Sequence, residues 1–227
     1  MHAVLKSAAA AAAALTLLAP AYGQAQPAPV PAQADYSGVE GDPALWLVTD
    51  EDTTMYLFGT FHLLPESLDW RSEAVEAALA DSSVIVFEVD ALSPEAQQQS
   101  QALLPQLGFN APGSPLSSLL DEETNALLAE VAPTIGMTPQ MLEPFQPWLA
   151  SLTIALTQFA ALGFEPNSGV EAVLTAEAET AGVEKAYLET IEQQLRFFAD
   201  MPMELQTAYF AQGLRDIERT PAMVDEM

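Results

Sequence analysis

Short apolar runs rich in aromatic and aliphatic residues occur early in this chain, and they predict strands. Residues 44–48 and 54–58 are two such runs, and the acidic residues 50–52 between them predict the turn of a β-hairpin. Ser72 is placed to cap a short helix, and residues 83–89 form a run of β-branched and aromatic residues typical of a strand buried on both faces. Strand, helix and strand in this order predict a βαβ unit with parallel strands.

The next 85 or so residues follow helical spacing. Asp121 predicts the start of a helix over 122–131, and the apolar spacing from Trp148 predicts another that ends at Gly163. Prolines divide this region into short helices, which we interpret as a helical insertion over the sheet. The dividing prolines are Pro105, Pro112, Pro115, Pro133, Pro139, Pro144 and Pro147.

The pattern returns to a strand near the C-terminal end of this region. Gly182 breaks the helical spacing and residues 185–188 predict a third core strand, followed by a helix that starts at Ile191 and another over about 203–219. The predicted fold class is therefore α/β, with a mixed sheet that contains a βαβ unit and a large helical insertion.

The N-terminus has the order of a secretory signal. Lys6 supplies the positive charge, residues 7–19 the apolar segment, and Ala21-Tyr22-Gly23 a small-residue cleavage site, so we expect cleavage after residue 23. Residues 24–40, rich in Pro, Ala and Gln, predict a disordered linker, and residues 41–227 a single domain. The expected product is periplasmic or secreted, without a membrane anchor. The competing interpretation is a cytosolic protein with an Ala-rich tail.

The charge of the chain restricts its partners. The sequence has 32 acidic and 6 basic residues, for a net charge of −26, which repels nucleic acid and anionic lipid. The acidic residues are scattered along the chain, which favours a solubility adaptation over an acidic binding face. There is no cysteine, so any metal or base chemistry must use imidazole and carboxylate groups.

Four residues lie where predicted strands end. His62, the only histidine outside the predicted signal, follows one strand after Gly59, Glu88 is near the end of the next, and Glu189 ends the third. Because ligands collect at the carboxyl ends of parallel strands, we expect these residues to face one crevice, with Gly59 allowing a sharp backbone turn. A structural imidazole is an open alternative for His62. Glu189 could equally be a first-turn acid of a helix that Thr190 caps.

One imidazole with one or two carboxylates suits a borderline divalent metal, Mn²⁺, Co²⁺ or Zn²⁺, that activates water. The sequence has no H-E-x-x-H, no glycine-rich phosphate loop and no G-x-S-x-G elbow. Trp148 and the methionines at 137, 141, 201 and 203 indicate core packing, not a cofactor site. The residues by themselves therefore indicate at most a metal-dependent hydrolase.

Several stretches, taken together and in order, carry a resemblance to a known family. They are Leu45-Trp46, the run Tyr56-Leu57-Phe58-Gly59-Thr60-Phe61-His62, the strand end Phe87-Glu88-Val89-Asp90, Pro147-Trp148-Leu149-Ala150, Gly169-Val170-Glu171, and Tyr187-Leu188-Glu189-Thr190 with Gln194-Leu195. In these stretches, from about residue 44 to 215, the chain resembles the TraB/GumN family. That family is similar to the Tiki metalloproteases and, more remotely, to erythromycin-esterase and ChaN-like haem-binding proteins.

The resemblance implies a metal-dependent peptidase that acts on a peptide or protein. Such a site has two G-x-x-H motifs and a glutamate, and here Gly59 and His62 match the first motif and Glu88 the glutamate. His62 and Glu88 would then be metal ligands, or one ligand and a general base. The second motif does not occur, nor do the family's final strand and helix, so we expect a truncated product or an incomplete site.

Two other interpretations stay open. The chain could be a noncatalytic binding module for haem or a protein partner, or a fragment too incomplete to fold independently. Substrate, physiological metal, oligomeric state and whether the chain is an enzyme at all are not determined by the sequence.

Overall fold

The computed structural model describes residues 2–6, 41, 43–217 and 219, with only the backbone of residues 2–6. The described chain forms two compact units. The first contains residues 2–6, 41–97 and 163–194, and the second contains residues 98–162 and 195–219. The predicted linker 24–40 and most of the predicted signal 1–23 lie outside the described residues.

The described residues contain strands and helices close to those expected from the pattern. The strands are β1 (His2–Lys6), β2 (Leu45–Thr49), β3 (Thr54–Gly59), β4 (Val84–Val89) and β5 (Glu184–Glu189). The helices are α1 (Glu73–Asp81), α2 (Pro94–Leu107), α3 (Glu122–Val131), α4 (Pro139–Leu142), α5 (Pro147–Ala161), α6 (Val170–Ala181), α7 (Ile191–Ala199) and α8 (Met203–Asp216). Short 3₁₀ turns cover Leu116–Ser118, Ala132–Ile135 and Pro166–Ser168.

The strands of the first unit form one mixed sheet in the order β2-β3-β1-β4-β5. β2 and β3 are antiparallel, which confirms the predicted hairpin, and the other pairings are parallel. The predicted α/β class and mixed sheet are thus confirmed. The two strands of the predicted βαβ unit, β3 and β4, are not direct neighbours, because β1 lies between them and pairs with both. β1 falls within the predicted signal, whose cleavage stays a prediction.

The core of the first unit lies between the sheet and two helices. Ser72 caps α1 by accepting a hydrogen bond from the backbone N–H of Val75, as its position in the sequence predicts. α6 ends at Gly182, whose φ of 69° is readily adopted only without a side chain. The buried cluster contains Phe58, Leu64, Trp70, Val75, Ile85, Phe87, Val170, Leu174 and Ala178.

The second unit contains most of the helical insertion and the C-terminal helix. Asp121 caps α3 through the backbone N–H of Thr124 at 2.7 Å, as predicted. Gln206 of α8 is 2% exposed, and its amide group donates to the carbonyl oxygen of Met201 at 2.9 Å, so burial leaves this group satisfied. Within the described part of the chain, no helix has the length and apolar character needed to cross a membrane.

Candidate active site

An open cavity lies in the first unit, where β4 and β5 run towards their carboxyl ends. The loop after β3, the end of β4 and its following loop, β5 and the first turns of α6 contribute to its wall. The lining residues are His62, Phe87, Val89, Asp90, Ala91, Leu92, Pro166, Glu171, Ala172, Thr175 and Tyr187. This is the edge of an α/β sheet at which ligands usually bind.

His62 and Glu171 form the polar centre of the cavity. Nδ1 of His62 lies 3.1 Å from Oε2 of Glu171, an ion-pair distance, and both side chains are largely buried, with 14% and 16% exposed. The hydroxyl of Thr60 donates a hydrogen bond to Oε1 of the same carboxylate. Nε2 of His62 is also shielded from solvent. The contacts from both sides hold the carboxylate in place, and the carboxylate in turn orients the imidazole.

The backbone of the β3 loop is fastened to the segment that begins α6. The N–H of Val170 donates to the carbonyl of Phe61 at 3.0 Å, and Leu64 and Glu165 exchange two backbone hydrogen bonds at 3.0 and 3.4 Å. Gly169 makes this approach sterically possible, because a Cβ there would lie 1.9 Å from the carbonyl oxygen of His62. The short distance between His62 and Glu171 therefore depends on a glycine two residues before Glu171.

Glu171 is placed by the start of a helix. It lies in the first turn of α6, where the N-terminal end of the helix dipole favours a negative charge. The bond from Thr60 spans 111 positions of the chain. The helix and the hydroxyl of Thr60 together fix the carboxylate beside the imidazole, at a place where both side chains are largely buried.

Asp90 and Tyr187 supply further polar groups on the cavity wall. A side-chain oxygen of Asp90 accepts from the backbone N–H of Ser93 at 3.0 Å, which fixes the loop after β4. The ring of Tyr187 stacks on Phe87, with centroids 6.1 Å apart. Partial burial raises the pKa of Tyr187, and the negative charge of Asp90 acts in the same direction. The phenol therefore stays protonated at neutral pH and can donate a hydrogen bond to a ligand.

Glu88 is not among the residues that line the cavity. Its neighbours Phe87 and Val89 do line it, and successive side chains of a strand point to opposite faces of the sheet. Glu88 is therefore directed away from the face that carries His62. The carboxylate that the structure brings to His62 is that of Glu171, and the expected partnership of His62 with Glu88 has no support in this arrangement.

Gly59 and Glu189 both lie at strand ends, as predicted. Their contacts are hydrogen bonds that join parts of the fold, and neither residue is among those that line the cavity. Gly59 ends β3, where its N–H donates to the carbonyl of Ala44 at 2.9 Å, and a Cβ there would make only ordinary contact at 3.7 Å. Glu189 accepts a hydrogen bond from the side chain of Gln194, while Thr190 caps α7 through the N–H of Gln193. The helix that Thr190 caps, which the sequence offered as the alternative interpretation at Glu189, is therefore present.

Sequence reasoning missed Thr60, Gly169 and Glu171 as site residues. All three stand within stretches that carry the family resemblance, and Glu171 directly follows the Gly-Val pair that opens α6. The family-like stretches thus contain these residues, but no rule based on neighbouring residues predicts that the carboxylate of Glu171 contacts the imidazole of His62.

The family model of the TraB/PrgY/gumN family matches residues 44–227. The chain belongs to this family. No curated protein and no solved structure matches the chain significantly. The match covers β2 to α8 and so includes both His62 and Glu171.

The TraB/GumN resemblance implies a divalent metal as the cofactor, which His, Asp and Glu side chains would have to bind in this chain. A catalytic metal usually has three protein ligands, whereas the described residues contain no group of three His, Asp or Glu side chains placed to hold an ion. His62 moreover directs Nδ1 to Glu171. The described residues of this TraB/PrgY/gumN chain therefore do not fit a three-ligand metal site.

We expect the 227-residue chain to bind Mn²⁺, Co²⁺ or Zn²⁺ weakly. A pair of one imidazole and one carboxylate leaves most of the coordination shell to solvent, so little heat should be released at micromolar metal concentrations. Calorimetry with each metal, and with His62→Ala as the control, measures this directly. Tight binding that His62→Ala abolishes would contradict the expectation and would require further ligands from outside the described residues.

Proposed function

We propose that this chain is an exported hydrolase that cleaves a peptide or protein, with His62 as its catalytic base and Glu171 as the residue that positions it. The observation that supports this proposal is the contact of His62 with Glu171 on the wall of an open cavity. A histidine held by a buried carboxylate is a recurrent arrangement in hydrolytic enzymes, because the carboxylate fixes the ring and stabilises its protonated form.

The two nitrogens of His62 have different roles in this proposal. With the proton of the neutral ring on Nδ1, facing Oε2 of Glu171 at 3.1 Å, the lone pair lies on Nε2. Nε2 takes a proton from water as that water attacks the substrate carbonyl, and the resulting imidazolium is stabilised by Glu171. Thr60 keeps the carboxylate from rotating away. This assigns a base and a positioning residue, and the nucleophile is water.

The cavity wall favours a neutral or basic polypeptide segment. Phe87, Val89 and Leu92 supply apolar surface for a side chain, and the hydroxyl of Tyr187 supplies a donor for a peptide carbonyl. The carboxylates of Asp90 and Glu171, in a chain of net charge −26, repel anionic substrates. The apolar and acidic lining therefore favours a peptide or protein as the substrate and disfavours nucleic acid.

Hydrolysis of a mixed fluorogenic peptide library by the full chain tests the proposal. We expect His62→Ala to lower kcat/KM by about 100-fold, because general base catalysis typically contributes at least that much. Glu171→Gln should lower kcat more than it raises KM and should shift the pH profile, as expected for a residue that acts through His62. Glu73→Gln, an exposed glutamate of α1, and Glu88→Gln should leave the rate unchanged.

Two results would overturn this assignment. Undiminished hydrolysis by His62→Ala would exclude the histidine as the base. An effect of Glu88→Gln as large as that of His62→Ala would instead support the pair that the family resemblance implies. Circular dichroism of each variant distinguishes loss of chemistry from loss of fold.

A noncatalytic binding module is the second candidate, and the shielding of Nε2 favours it. A base must reach its substrate, yet Nε2 of His62 has no solvent-exposed surface in this structure. In this case the native chain would bind peptides and cleave none of them. Haem could bind through His62 only if the groups that cover Nε2 moved away, and it would then give a Soret band on titration that His62→Ala removes. A native chain that cleaves peptides with His62-dependent kcat excludes this candidate.

A further inference from the structure

Among the described residues, β2 is an edge strand of the sheet in the first unit, because it pairs only with β3. No strand of the described part of the chain pairs with the backbone groups on its outer side. Natural edge strands usually carry a lysine, a proline or a bulge that discourages such pairing, but Leu45–Thr49 contains no charged residue and no proline. Another strand could therefore pair with the outer side of β2 through backbone hydrogen bonds.

Three consecutive apolar side chains of β2 are exposed, and they lie on both faces of the sheet. Trp46, Leu47 and Val48 have 57%, 60% and 52% of their surfaces exposed. Because successive residues of a strand alternate between faces, Leu47 lies on one face and Trp46 and Val48 on the other. An added strand with apolar residues would cover all three, since cross-strand neighbours on each face are in contact.

A compact negative charge stands at one end of this edge. Asp50, Glu51 and Asp52 form the exposed turn of the β2–β3 hairpin. The backbone N–H groups of Asp52 and Thr53 hold the pKa of Asp50 below its usual value, so its carboxylate is ionised at neutral pH. The apolar edge therefore ends in an acidic group that attracts a basic residue of whatever strand is added.

The opposite edge of the sheet has a different character. β5 carries Lys185 within the strand, paired with Glu179 at 2.5 Å, and glutamates at both of its ends. An inward or flanking charge of this kind is the usual protection against strand addition. Because β5 carries charged residues and β2 carries none, β2 is the edge that lacks protection against strand addition.

We propose that β2 is a docking edge for an extended, apolar segment of a partner polypeptide that carries Lys or Arg next to the segment. The partner strand would extend the sheet by backbone hydrogen bonds to β2, and its basic residue would lie against Asp50–Asp52. Charge complementarity selects this occupant over a second copy of the chain, because two copies of net charge −26 repel each other.

Fluorescence anisotropy with synthetic peptides and the full chain tests the docking edge. The probe is a labelled peptide of alternating Val and Thr with two lysines at each end. Its matched peptides carry glutamate in place of lysine, or N-methyl groups on alternate amides. We expect the lysine peptide alone to bind at low salt, and binding to weaken as salt screens the acidic turn.

Leu47→Lys should weaken binding of the lysine peptide by at least about tenfold, because a charge on the edge blocks strand addition. Leu205→Lys is the matched control, since Leu205 is 56% exposed on α8 of the second unit, and it should bind as the native chain does. Trp46→Thr, which keeps strand propensity, should also weaken binding.

Several results would overturn the docking edge. They are failure of the lysine peptide to bind, equal binding of the N-methylated peptide, or an equal loss in Leu205→Lys. A dimer seen by sedimentation, and dispersed by Leu47→Lys, would show that the edge is occupied by a second copy instead.

Discussion

Gly169→Ala should destabilise the first unit by about 3 kcal/mol, the cost of forcing backbone groups apart in a packed site. The added Cβ would lie 1.9 Å from the carbonyl oxygen and 2.4 Å from the carbonyl carbon of His62. Neither atom belongs to a flexible side chain, so the whole β3 loop must move. That movement would break the hydrogen bond from Val170 to Phe61 and would separate His62 from Glu171. Urea unfolding measures the loss, and any His62-dependent activity should disappear with it.

Two other glycines provide matched controls. Gly213 lies within α8 with no atom near the position of a Cβ, so Gly213→Ala should stabilise the chain by about 0.5–1 kcal/mol through helix propensity. Gly59→Ala places its Cβ at an ordinary distance of 3.7 Å and should change stability little. If Gly169→Ala behaved like Gly59→Ala, the close approach of the β3 loop to α6 would not be a feature of the folded protein.

Loss of β1 should be the other large effect. β1 pairs with β3 over five residues, from His2 opposite Met55 to Lys6 opposite Gly59, and with β4 through Ala3 and Val4. A chain that starts at residue 24 leaves the facing edges of β3 and β4 unpaired, and each buried backbone group left without a partner costs about 1–3 kcal/mol. We expect this chain to unfold at a much lower urea concentration than the full chain.

Val4→Pro tests the same point within the full chain. Proline cannot donate to the ladder and is not tolerated in a central strand, so this variant should be strongly destabilised. Ala25→Pro, in the predicted linker, is the control and should be neutral. The result also concerns export, because removal of the predicted signal would remove β1 as well. In that case mass spectrometry of exported protein should find the mature N-terminus near Gln24. A mature protein of that length with undiminished stability would show that the sheet does not need β1.

Local signals were sufficient for most elements of the fold. The hairpin of β2 and β3, the helix capped by Asp121 and the helix break at Gly182 were all predicted, because each depends on residues next to one another in sequence. The order of the sheet was not predicted in full. Which strands are neighbours depends on pairing between distant segments, and here β1 separates β3 from β4.

The sequence by itself determined that any metal or base chemistry must use His62 and carboxylates, since the chain has no cysteine and no other histidine outside the predicted signal. It also predicted that His62 follows the carboxyl end of a strand, as it does after β3. Only the tertiary structure decided which carboxylate meets the imidazole. Strand alternation turns Glu88 away, while the start of α6 and the space left by Gly169 bring Glu171 to His62 from more than a hundred residues away along the chain.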